Sequence, residues 1–177
     1  MKLHINGTDL ECTQGDITCQ KGFDAVVNAA NAELLPGGGV AGAIHRTAGE
    51  KLKEACRPLA PISTAEAVIT RGFELQNDYV IHVLGPVYSR SDNPEEELAD
   101  CYINVLQLAE KEGLHSIAFP AISTGAFGFP VEKAAQTALK TLSEECLSLS
   151  SVDKIRMVLY DKETLNLHIE VMEELAR

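Results

Sequence analysis

Short apolar runs alternate with longer amphipathic stretches along this chain. Lys2–Asn6 and Leu10–Gln14 read as short opening strands, and Phe23–Asn28 as a third by its β-branched, apolar content. Gly39–Cys56 then changes period. Val40, Ile44, Ala48 and Leu52 recur at helical spacing, with Lys and Glu opposite. Ala65–Thr70 and Tyr79–Leu84 read as further strands. Asn93-Pro-Glu-Glu predicts a helix start, with Asn93 as cap, Pro94 at the first helical position and Glu96 completing a capping box. That helix is expected to run to about Glu112 and stop at Gly113. Ser116–Pro120 is a predicted strand, Pro130–Cys146 a helix, Ile155–Tyr160 the last strand, and a final helix begins at an Asp161 cap. Strands alternating with helices predict an α/β domain with a mostly parallel sheet covered on both faces. In such sheets ligands bind at the carboxyl ends of strands. The loops after Asn28, Ile122 and Tyr160 are therefore the places for a site.

Composition narrows the picture. The 177 residues, 45% hydrophobic, suit one folded domain spanning 1–177, with no repeat or linker to divide it. No apolar run is long enough for a bilayer span, and MKLHINGTDLECTQGD holds no continuous apolar core of a signal peptide. The five cysteines are odd in number and form no CxxC, so reduced thiols and a cytoplasmic location are expected. The five histidines are scattered without metal-ligand spacing, and no metal site is expected. A net charge of −11 argues against nucleic acid or any polyphosphate held on a basic face. It says nothing against a small anion held by backbone N–H groups.

Two glycine loops carry the candidate chemistry. The first is PGGGVAG, residues 36–42. It formally matches GxGxxG, but the dinucleotide fingerprint sits in the tight turn directly after a strand. Here the residues from Asn28 to Pro36 intervene, and there is no GK[ST] for a Walker loop. The second is Ser123-Thr-Gly-Ala-Phe-Gly-Phe-Pro130, which follows an apolar strand and precedes a helix. Successive free N–H groups at such places form anion nests. Two loops at one sheet edge would hold a diphosphate from both sides without a lysine.

The polar residues around them each carry two readings. Asp16, in Gln-Gly-Asp-Ile-Thr, is either a helix cap or an acceptor for an exocyclic amine. Asn28 and Asn31 either form Asx turns or address sugar hydroxyls with a donor and an acceptor each. Tyr160, Phe127 and Phe129 either stack on a base or close the core. His82, within YVIHVL, reads as a hydrogen-bonded core histidine, and a structural role also leads for His45.

Taken together, QGDIT at 14–18, VVNAAN at 26–31, GGGVAGAIHRTAG at 37–49, YVIHVLGPVY at 79–88, FPAISTGAFGFP at 119–130 and VLYDKE at 158–163 resemble the macrodomain family of ADP-ribose-binding modules. The resemblance covers nearly the whole chain and implies a three-layer α/β/α fold with a mixed sheet. It implies that Asp16 binds the adenine amino group with help from the Ile17 backbone, and that Tyr160 flanks the base. Gly38, Gly39 and Val40 would line one side of the diphosphate. Ser123, Thr124, Gly125, Ala126 and Phe127 would wrap the other. Asn31 would orient the distal ribose as the catalytic residue, with Asn28 supporting its loop.

The implied ligand is ADP-ribose, free or carried on ADP-ribosylated proteins, with no cofactor. The implied activity is hydrolysis of mono-ADP-ribosyl esters on acidic side chains, or of O-acetyl-ADP-ribose. The alternative is a reader that binds without turnover. One departure bears on the choice. The hydrolytic MacroD-type members carry GGGVDG with an aspartate that positions water, and here that position is Ala41, which has no lone pair. Branches that resemble this chain in GGGVAG include members that still remove ADP-ribose from acidic side chains.

Overall fold

The computed structural model describes residues Met1–Arg177. Seven strands form one sheet in the order β1-β2-β7-β6-β3-β5-β4. These are β1 (Lys2–Ile5), β2 (Thr8–Gln14), β3 (Ala25–Ala29), β4 (Ala67–Arg71), β5 (Tyr79–Val83), β6 (Ser116–Phe119) and β7 (Lys154–Leu159). The inner strands β2, β7, β6, β3 and β5 run parallel, and the edge strands β1 and β4 are antiparallel. Five helices cover the sheet: α1 (Gly39–Ala48), α2 (Glu50–Cys56), α3 (Pro94–Lys111), α4 (Val131–Glu145) and α5 (Lys162–Leu175).

The period-2 rule of strands sorts the core into two layers. Ala25 and Val27 of β3, Ile117 and Phe119 of β6, and Ile155 and Met157 of β7 pack with apolar faces of α3, α4 and α5. The intervening Val26, Ala118 and Val158 pack with Ile44, Ala48, Leu52 and Cys56 of α1 and α2. The central strands β3, β5 and β6 thus bury both faces and read as short, mostly apolar runs, whereas β2 alternates buried and half-buried positions. This is the three-layer α/β/α fold.

The expected elements form, with three local differences. The predicted helix Gly39–Cys56 is two helices, because Gly49 takes φ 87°, a left-handed conformation that breaks the hydrogen-bond ladder. The capping box at α3 does not form. Asn93 makes no side-chain cap, and Ser91 instead accepts the Asn93 N–H and donates to Glu97. The strand expected from Ala65 begins at Ala67, since Ala65 itself lies at φ 67°. The Asp161 cap of α5 is present, with Oδ1 accepting the Thr164 N–H at 2.7 Å.

Candidate functional site

A cleft of about 490 Å³ opens where the parallel strands end. It is bounded by the turn after β2, the cavity face of α1, the loop after β6 and the junction of β7 with α5. Its size suits a nucleotide-sized ligand. Two other clefts lie away from these ends. One is beside Gly49 and Phe73, and one lies between Leu35 and Arg57.

Asp16, Ile17, Gly39, Val40, Thr124 and Tyr160 line the cleft as the sequence suggested. Asp16 closes a local turn rather than capping a helix. Its Oδ1 accepts the Thr18 N–H at 2.8 Å and the Thr18 hydroxyl at 2.7 Å, while Oδ2 accepts nothing within the protein. One carboxylate oxygen is therefore held rigidly and the other is left for a donor in the cleft. The Ile17 N–H beside it has no protein acceptor. Tyr160, 85% exposed, is a free aromatic wall rather than a core residue.

The two glycine loops present their backbone donors. α1 opens with Gly38 as an N-cap without a side chain, Gly39 at φ 56° and no acid in the first turn. The Gly39, Val40 and Ala41 N–H groups have no acceptor in the protein. Gly42 is required here for a different reason, because a Cβ would collide with the Gly37 carbonyl. In the second loop the N–H groups of Thr124, Gly125, Ala126 and Phe127 are likewise unpartnered. That loop is fixed from behind. The Phe129 N–H bonds the Ser123 carbonyl, and the Tyr88 N–H bonds the Phe127 carbonyl, both at 2.9 Å. The Phe129 ring stacks edge-on against Tyr88 at 4.9 Å and is buried, so Phe129 closes the core.

The other predicted residues sit differently. Gly38, Gly125 and Ala126 are exposed at the loop tips and form the rim rather than the lining. Phe127 is half-buried beside them. Ser123 is turned inward at φ 66°, its Oγ packed on Gly85 without a partner, so only its backbone can serve the loop. Asn28, read as a ligand contact, is 1% exposed and faces the α1–α2 layer, where its Nδ2 donates to Nδ1 of His82 at 3.0 Å. An amide nitrogen can only donate, so His82 carries its proton on Nε2 and donates to Thr70 Oγ1 at 2.9 Å, and Thr70 donates to the Arg71 carbonyl. Asn28 is a buried support behind the loop. Asn31 is committed to its own loop. Its Oδ1 accepts the Leu35 N–H at 3.0 Å and its Nδ2 donates to the Leu35 carbonyl at 2.7 Å.

The cleft contains no titratable base beyond Asp16 and Asp161. His45, His82 and His168 are buried, and burial lowers the pKa of each, that of His82 to about 3. Burial raises the thiols of Cys12 and Cys101 to about 12 and those of Cys56 and Cys146 to about 11. All five thiols are free, and Cys19 alone is exposed, next to Thr18 at the Asp16 end of the cleft. Several lining residues were not among the predicted site residues, and Arg46 is the cationic one. Arg46 falls seven positions after Gly39 and three after Ala43, on the same helix face, and both companions line the cleft. That spacing was the available signal.

A three-layer fold with paired glycine loops at its strand ends defines an α/β domain of the macrodomain type. The Macro domain family model matches residues 27–138, and the chain belongs to the macrodomain family. It is 44% identical over 170 residues to the O-acetyl-ADP-ribose deacetylase of Salmonella typhimurium, covering 93% of this chain and 94% of that protein. It is 47% identical over 160 residues to a macro domain-containing protein of Chlorobaculum tepidum, covering 90% and 92%. Among solved structures, the Oceanobacillus iheyensis macrodomain with ADP superposes with a TM-score of 0.95 at 39% identity, covering 99% of this chain and 96% of that one. The Trypanosoma brucei macrodomain in complex with ADP-ribose gives 0.86 at 34%, covering 92% and 68%.

Proposed function

We propose that the protein binds ADP-ribose and hydrolyses O-acetyl-ADP-ribose or mono-ADP-ribosyl esters on acidic side chains. The observation that carries this reading is the pair of backbone segments, Gly39–Ala41 and Thr124–Phe127, whose N–H groups have no acceptor and border one cleft. A diphosphate supplies the acceptors they lack, each charge-assisted bond worth about 1.5–3 kcal/mol. The free Oδ2 of Asp16 takes the adenine amino group, the Ile17 N–H assists, and Tyr160 flanks the ring. The name of the Salmonella relative and the nucleotides in the two solved structures support the same ligand class.

Turnover then has to come from positioning. No buried histidine or cysteine is fit to act, and Ala41 offers no carboxylate for water. Asn31, locked on Leu35, fixes the loop over the distal ribose. The ligand's own phosphate is the remaining acceptor that can orient water, and orientation alone removes a large part of a hydrolytic barrier. Ala41 also favours a second reading, a reader without turnover.

A target ADP-ribosylated on glutamate separates the two. Release of ADP-ribose above an uncatalysed control is expected, and none would make the protein a reader. With turnover established, Asn31→Ala is expected to lower kcat more than ADP-ribose affinity. The opposite pattern would remove Asn31 from the reaction.

A further inference from the structure

The cleft has one cationic lining residue, Arg46, and nothing in the protein holds it. Among the arginines, only Arg156 is hydrogen-bonded and ion-paired through its guanidinium, while Arg71 lies over the Tyr79 ring. Arg46 has neither kind of partner. Arg57, Arg90 and Arg177 are also without one, but they lie outside the cleft. The two carboxylates that share the cleft with Arg46 do not pair with it. Asp16 is fixed on Thr18, and Asp161 caps α5.

The position of the guanidinium is the second observation. Arg46 Nη1 stands 3.0 Å from where a Cβ on Gly42 would lie, so the side chain folds back along α1 toward its first turn. That end of the helix is the positive one, it carries unpartnered N–H groups, and it holds no acidic residue. A cation and a helix N-terminus therefore face the same space with nothing negative between them. The arrangement is unfavourable in itself and becomes favourable when an anion enters. The chain's net charge of −11 sharpens the need, because its long-range field opposes an approaching phosphate.

We propose that Arg46 is a ligand-binding residue that grips the diphosphate of ADP-ribose through its guanidinium, adding a charge-assisted contact to the backbone N–H groups of α1. The proposal rests on ADP-ribose being the ligand. It makes Arg46 the one side-chain cation, beside the backbone N–H groups, that favours phosphate-bearing nucleotides over the bare nucleoside in this cleft.

Titration calorimetry with ADP-ribose, and ligand-observed NMR with adenosine, test it on the full chain. Arg46 is exposed, so its replacement leaves the core intact. Arg46→Ala is expected to weaken ADP-ribose about tenfold while leaving adenosine unchanged, and Arg46→Lys to recover at least threefold of the loss. Wild-type affinity in Arg46→Ala, an equal loss for adenosine, or no recovery in Arg46→Lys would overturn the role of the charge. Failure of the unmodified protein to bind ADP-ribose would overturn the ligand reading as well, and the two failures are told apart by that first titration.

Discussion

Asp16 shows how much a single side chain can hide. Its sequence position left two roles open; in the structure Oδ1 holds a turn where a helix cap was expected, and Oδ2 has no partner within the protein. Asp16→Ala removes both the turn bonds to Thr18 and the free acceptor, so ADP-ribose binding is expected to fall by about 1–3 kcal/mol by calorimetry. Unchanged affinity would leave Asp16 with only its turn. The asparagines were legible as important but not in direction. Asn28 and Asn31 lie three residues apart near the end of β3, yet the first is buried on His82 and the second curls onto Leu35. Nothing local distinguishes these fates, because the partner of Asn28 comes from another strand 54 residues away. Arg46 was missed for a different reason. A lone arginine on an amphipathic helix looks like solvated surface until the opposite wall of the cleft is in place.

At the scale of elements, the alternation of strand and helix was readable because the central strands β3, β5 and β6 are short, mostly apolar runs. The breaks were harder. Gly49 was itself the available mark of a positive-φ break, as Gly113 is after α3, but the apolar spacing from Val40 to Leu52 runs through it unbroken. The side-chain cap expected at Asn93 is absent, and Ser91 binds the Asn93 N–H and Glu97 instead, a contact that the Asn-Pro-Glu-Glu pattern does not carry. The second glycine loop was legible as a unit and behaves as one, anchored by Tyr88 and Phe129 with its donors outward. A Cβ at Gly125 would meet nothing within 4 Å, so Gly125→Glu keeps the fold and puts a carboxylate where phosphate is expected. ADP-ribose binding is expected to drop at least about a hundredfold at unchanged melting temperature. Retained binding would place the anion elsewhere.

Across the whole molecule, burial of neutral histidines sets a pH response that the sequence could not reveal. His82 is held neutral down to about pH 3 by burial, whereas the unfolded chain protonates near its ordinary value of 6.5. The folded state is therefore fully stabilised above about pH 7 and loses stability as pH falls from there toward 3. His82 alone accounts for roughly 2 kcal/mol by pH 5. His45 and His168 are shifted in the same direction. Glu110 extends the loss below its ordinary value of 4.5. Burial opposes its charged form, but the N–H groups of Val152, Ser150 and Ser151 outweigh this and keep its pKa low. Guanidinium midpoints at pH 7.5 and pH 5 are expected to differ clearly, with the lower pH weaker, and coincident midpoints would mean the histidines gain protons without unfolding.

The distribution of thiols has a practical consequence. Four of the five cysteines are sealed in the core, and the fifth, Cys19, lies at the surface three residues from Asp16. The unaltered protein thus carries one natural handle for a maleimide dye, beside the end of the cleft where the base is expected to settle. Ligand occupancy becomes an optical signal without removing a single native residue.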